Sequence, residues 1–259
     1  MGNEGFDAAA TAELGMYPFE SVRWAWDALW QAVAERVEWV PRTLAHSGDP
    51  HARWDDPGCV VNHICGWPLV TNHSGSQRVI GAFSLSIPEA QGHRYRNTVI
   101  AAGDTPLADL TPSELRAAVN SCDSLSGWIS LLDATQAGRD WPGEIVLTGA
   151  HLESVNAVRE GRADIACIDS WSMRLIERDR PELLAGVHRV GLGPLVPTPA
   201  VTVRTSVTTG DADQLGHALT DVLHDAGSSE IGAALMIDGF VTTTIEEYLP
   251  VLQLMADSK

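Results

Sequence analysis

Apolar residues recur at Val22, Trp26, Leu29, Trp30, Val33 and Val37. That three-and-four spacing lines one face of a helix, so a helix is predicted over 20–37, with its tryptophans in the core. Ahead of it, Ala12 to Tyr17 reads as a short strand closed by Pro18. The apolar run Cys59-Val60-Val61-Asn62-His63-Ile64 predicts a buried strand, ended where Cys65-Gly66-Trp67-Pro68 forces a turn. Val79 to Phe83 and Tyr95 to Ala101 are further predicted strands on either side of the polar loop Pro88 to His93.

From there strand and helix alternate, the pattern of parallel βαβ units. Thr111-Pro112-Ser113-Glu114 has the spacing of a helix start and predicts one turn. Strands are expected at Leu115 to Val119, Glu144 to Leu147 and Ala163 to Asp169. Helices are expected at Gly127 to about Ala137, at Leu152 to Glu160 with Gly161 as its cap, and at Trp171 to Arg178. The prolines of Gly193 to Pro199 predict a stiff connector instead of a central strand. A strand at Ala200 to Arg204, a helix from Asp211 to Ala226 stopped by Gly227, and two more helical segments complete the chain. The expected organisation is α/β in two lobes, residues 1–95 with 197–259 and residues 96–196, with a cleft between them.

At 259 residues the chain exceeds the size at which a single core stops growing, which agrees with two lobes. Seventeen Lys and Arg against thirty-four Asp and Glu leave a formal charge of −17. Such a surface repels phosphate backbones and anionic lipid, so nucleic acid and membrane surfaces are not expected as partners. A small anion is not, because N–H groups at a helix start act over a few ångströms. No window is apolar enough to span a bilayer. Cys59, Cys65, Cys122 and Cys167 are too scattered for a zinc ribbon or disulfide framework, and His63-x-Cys65 lacks a third ligand at metal spacing. No metal and no cofactor are expected. The acidic residues among Met1 to Asp7 are unlike a signal peptide, so the chain is expected in the cytoplasm, or in the periplasm or at the cell surface if an export signal has been removed.

Candidate chemistry sits in two strand-to-helix loops. Asn120-Ser121-Cys122-Asp123-Ser124-Leu125-Ser126-Gly127 offers the Ser124 and Ser126 hydroxyls and a helix start to an oxyanion; N-capping is the plainer role for the same residues. Thr148-Gly149-Ala150-His151-Leu152-Glu153-Ser154 adds the His151 imidazole and the Ser154 hydroxyl. Two parallel strands that both end in polar helix starts put these loops at the carboxyl edge of one sheet, where open α/β sheets bind ligands.

Nine short motifs then stand in order: Met16-Tyr17, Asp27-Ala28-Leu29-Trp30, Trp54-Asp55-Asp56-Pro57, Cys65-Gly66-Trp67-Pro68, Tyr95-Arg96, Ala117-Ala118-Val119-Asn120, Ser124-Leu125-Ser126-Gly127, His151-Leu152-Glu153-Ser154-Val155-Asn156-Ala157-Val158 and Ala163-Asp164-Ile165-Ala166-Cys167-Ile168-Asp169. Together, from about residue 12 to about 250, they resemble the phosphate/phosphonate-type (PhnD-like) substrate-binding proteins of ABC importers. The resemblance implies a type II periplasmic-binding-protein fold, two α/β lobes joined by two hinge strands, with each lobe a mixed sheet flanked by helices. It also implies that a small anionic ligand such as phosphate, a phosphonate or a phosphate ester is captured in the cleft for an ABC permease, without catalysis, by a monomer.

By the same resemblance, Ser124, Ser126 and Gly127 form the helix start that holds the anion, with Leu125 standing where relatives often carry a hydroxyl. His151 is the anion-contacting histidine and Tyr17 is the aromatic of the first strand. Cys65, Gly66 and Trp67 form the turn that faces the ligand from the first lobe; Asp169 ends the second-lobe strand, and Thr198 in the return hinge is a weaker candidate. For Asp169 the structural alternative is capping of the following helix, and for Trp67 it is packing. Trp171 stands where binders of aminated phosphonates need a carboxylate, which points to a bulkier or aromatic ligand. The alternative from another class is a cytosolic biosynthetic enzyme on the same fold, acting on a small carboxylate or phosphorylated substrate.

Overall fold

The computed structural model describes residues 10–46 and 48–256. The first strands are β1 (Thr11–Glu13), β2 (Cys59–Ile64) and β3 (Gln77–Leu85). Next come β4 (Ala90–Gln91), β5 (Arg94–Ala101), β6 (Ala117–Val119), β7 (Ile145–Leu147), β8 (Ile165–Ile168) and β9 (His188–Pro197). The last two are β10 (Ala200–Arg204) and β11 (Ile237–Val241). The chain forms two compact units: the described residues up to Ser86 with Gln91–His93 and Pro197–Glu247, and Ile87–Ala90 with Arg94–Val196 and the described residues from Tyr248 on.

In the first unit the sheet runs β1-β2-β10-β3-β11. Every residue of β2 and β10 is buried, the polar Asn62, His63, Thr202 and Arg204 included, so burial does not alternate along them, as expected where both faces of a strand are covered. The Glu20–Ala34 helix buries Val22, Trp26, Leu29, Trp30 and Val33, the predicted stripe. Trp24 is an exception to the expected core placement: it lies two residues from both Val22 and Trp26, on the opposite side of the helix, and is 47% exposed. Gly81 in β3 is required by its neighbours, since a Cβ there would lie 2.4 Å from the Phe240 ring and 2.6 Å from the Val241 carbonyl oxygen on β11. Gly81→Ala is expected to lower stability by about 1–3 kcal/mol through overpacking; urea unfolding with a shifted midpoint and unchanged slope is the check.

In the second unit the sheet runs β4-β5-β8-β6-β7, with β9 paired to β5. β5 is antiparallel to β8, while β6 is parallel to both β7 and β8, so the sheet is mixed. Among the described residues no helix is long and apolar enough to cross a membrane.

Several predicted elements shift. The first strand is only Thr11–Glu13, because the chain turns at Gly15 and Met16. The strand expected from Leu115 starts at Ala117, since the Leu115 N–H bonds the Pro112 carbonyl in a preceding 3-10 turn. The expected connector at 193–199 is instead largely strand: β9 reaches Pro197, and its prolines are tolerated because, among the described residues, β9 is an edge strand paired with β5 alone. The expected C-terminal helical pair is interrupted by a strand that the pattern did not reveal. The Ser229–Leu235 helix ends at Met236 in the left-handed region (φ 56°), and Ile237–Val241 then pairs with β3.

Candidate functional site

In the second unit, β6, β7 and β8 are parallel neighbours, so their carboxyl ends lie along one sheet edge. Each is followed by a helix start: Leu125 after β6, His151 after β7 and Ser170 after β8. Residues more than forty positions apart in sequence therefore converge there for a topological reason.

After β6 the helix opens two residues before the predicted Gly127, as a wide five-residue turn over Leu125–Ile129 that continues as Ser130–Thr135. The widening is visible in the bonds: both Trp128 and Ile129 N–H donate to the Ser124 carbonyl. Ser124 caps this turn by accepting the Gly127 N–H at 2.9 Å, which is the capping role read from sequence. The Ser126 hydroxyl lies 2.9 Å from His151 Nε2 and 3.4 Å from the Ser124 hydroxyl. Both serines are 6% exposed, and Leu125 is buried beside them. The two loops that the sequence placed at one sheet edge thus meet, in contact through Ser126 and His151. Burial holds the His151 imidazole below its ordinary pKa, against the pull of nearby Asp169, so the ring is neutral at neutral pH. Its Nδ1 is enclosed and has no hydrogen-bond partner among the described residues. The cluster is therefore a set of uncharged donors and acceptors at the positive end of a helix dipole, an arrangement suited to an oxyanion.

Ser154 is 1% exposed, with its hydroxyl 2.7 Å from Thr148 and 3.3 Å from the Ala150 carbonyl. Thr148, in a loop that sequence reading singled out for other residues, thereby ties Ser154 to the end of β7. Asp169 accepts the Ser172 N–H at 2.8 Å, the capping alternative named above, and also accepts the Tyr95 hydroxyl. That tyrosine, 2% exposed on β5, was legible only as part of a motif; a buried phenol needs an acceptor, and Asp169 is it. Trp171 beside it is fully buried and packs in the core. Burial, with the Asp169 charge added, raises the Cys167 thiol well above its ordinary pKa, so it is inert as a nucleophile.

The first unit carries the other candidates. Tyr17 is buried and lines a cavity of ≈ 80 Å³ together with Glu13, Phe19, Arg23, Trp26 and His46. Cys65 is buried at the turn after β2, and Trp67, one position into the following helical turn, is half-buried. Thr198 is fully buried and donates its hydroxyl to the Phe83 carbonyl at 3.0 Å while its N–H bonds the His93 carbonyl at 2.8 Å. Beneath Tyr17 lies His63, 2% exposed, with ring centroids 5.9 Å apart. Burial pushes the His63 pKa down to about 3, against hydrogen bonds to the backbone of Pro199 and Leu14 that raise it.

Residues 66–248 match the family described as ABC transporter, phosphonate, periplasmic substrate-binding protein. No curated protein matches the chain. Among solved structures, the binding protein component of an ABC phosphonate transporter from Pseudomonas aeruginosa superposes with a TM-score of 0.76 at 14% identity, over 96% of this chain and 85% of that one. PhnD1 of Prochlorococcus marinus in complex with methylphosphonate gives 0.75 at 9% identity, over 95% of this chain and 96% of that one. A Xanthomonas citri protein bound to ATP gives 0.69 at 12% identity, over 96% of each chain. At such identities the likeness concerns the fold, which is that of type II periplasmic-binding proteins.

Proposed function

Because the chain belongs to the phosphonate-type periplasmic substrate-binding proteins of ABC transporters, we propose that it captures a small phosphonate, phosphate or phosphate ester at the Ser124–Gly127 helix start and delivers it to an ABC permease. The observation that carries this reading is the pairing of the Ser126 hydroxyl with His151 Nε2 at 2.9 Å, beside the capping hydroxyl of Ser124. Three uncharged polar groups from two loops point at one helix start, and nothing in the capping of that helix requires His151. An anion's oxygens accept hydrogen bonds from Ser126, Ser124 and the imidazole, and the helix dipole adds to each.

The chemistry ends at binding. Asp169, the carboxylate nearest to His151 in electrostatic effect, is engaged by Tyr95 and by a helix cap, so it is no general base for a bound substrate. Tyr17, Cys65 and Trp67 are the ligand-facing residues proposed for the first unit, and the working form proposed is a monomer. Methylphosphonate and inorganic phosphate are expected to bind one per chain in calorimetry, with dissociation constants in the micromolar range or below. Absence of heat from both at millimolar concentration overturns the reading.

A further inference from the structure

Asn120 is the first residue after β6, so its side chain enters at the same sheet edge as the Ser124–Gly127 turn. A Cβ on Gly127 would lie 1.7 Å from Asn120 Oδ1 and 2.9 Å from its Cγ, so the carboxamide occupies the place that a side chain at 127 would fill. Glycine at 127 is what admits it. Packing is the only thing the amide does there. Oδ1 is enclosed and has no hydrogen-bond partner among the described residues, and no hydrogen bond among them holds the amide nitrogen, which is not enclosed. An amide packed this closely yet unbonded is destabilising for the unliganded protein unless something else engages it. In a planar carboxamide the N–H2 group sits beside the carbonyl oxygen, so fixing the oxygen against Gly127 leaves two N–H donors next to the first turn of the helix. Leu125, the first residue of that turn, contributes no polar side-chain atom.

We propose that Asn120 is a ligand-contacting, specificity-setting residue of the anion site, its N–H2 group supplying the donor that Leu125 lacks. The assignment rests on the anion-capture reading above and refines it. A serine hydroxyl can donate to a ligand oxygen or accept from a protonated one, whereas an amide N–H2 only donates. Asn120 therefore favours ligand oxygens that carry no proton, those of a fully ionised phosphonate or phosphate.

Calorimetry with methylphosphonate on the full chain tests this. Asn120→Ala is expected to weaken binding about tenfold or more, the worth of one hydrogen bond to a charged acceptor. Asn120→Asp, which keeps the shape and the packing on Gly127 but replaces the donor with a charge, is expected to weaken it further still. The melting temperatures of both unliganded variants are followed alongside. Wild-type binding with Asn120→Ala within twofold, or Asn120→Asp binding no more weakly than Asn120→Ala, overturns the assignment and leaves anion capture standing. A wild type that binds neither methylphosphonate nor phosphate removes the reading beneath it.

Discussion

Ser126→Asp is expected to weaken methylphosphonate binding by more than a hundredfold. The Ser126 hydroxyl is 2.9 Å from His151 Nε2 and the residue is 6% exposed, so a carboxylate in its place has little room to turn toward water. Two like charges about 4 Å apart repel by about 4 kcal/mol at the effective dielectric typical of such sites, which corresponds to roughly a thousandfold in affinity. Part of that is offset because the new carboxylate raises the affinity of His151 for a proton. Ser126→Asn, which brings no charge, is expected to cost far less, and the gap between the two variants isolates repulsion from loss of shape. Equal affinity of Ser126→Asp and the wild type would remove Ser126 from the anion site.

Acidification from pH 7 to pH 4 is expected to cost about 3 kcal/mol of stability through His63 alone. Its pKa is about 3 in the folded chain, 2% exposed, against an ordinary histidine value near 6.5 after unfolding. Above pH 6.5 both states are neutral at this group and it contributes no slope. Between the two values the unfolded chain binds a proton that the folded chain refuses, so stability falls as pH falls, by about 1.4 kcal/mol per unit. Below about pH 3 the loss levels off. His151, whose pKa is also depressed by burial, adds to the loss in the same direction. Urea midpoints across this range give the slope, and His63→Leu is expected to flatten it by about one proton's worth. An identical slope in the variant would show that His63 is protonated in the folded chain.

Much of the second unit was legible because its elements are local. Strand and helix alternate with turn residues at their ends, and the β8 strand and the helices after β7 and β8 fall within a residue or two of their predicted places. Elements were missed where partners lie far away in sequence. Ile237–Val241 is a strand only because β3 offers an unpaired edge more than 150 positions earlier, and β9 is a strand only because β5 pairs with it. The site divided in the same way. Ser124 as a cap and Asp169 as a cap follow from hydroxyl or carboxylate at a helix start, a relation across three residues. Asp169 as the acceptor for Tyr95 spans 74 positions, and nothing local announces it.

By itself the amino-acid order determined which residues could serve an anion and which elements would carry them, because helix starts, turns and hydrophobic period depend on neighbours within one or two turns of chain. Only the tertiary structure decided which atoms touch: within the sheet edge where the sequence had placed both loops, the Ser126 hydroxyl against His151 Nε2, Ser154 against Thr148, and the Asn120 amide seated on Gly127. The physical reason is that hydrogen bonding and packing act over a few ångströms in space, whatever the separation along the chain, and the register of parallel strands sets that proximity.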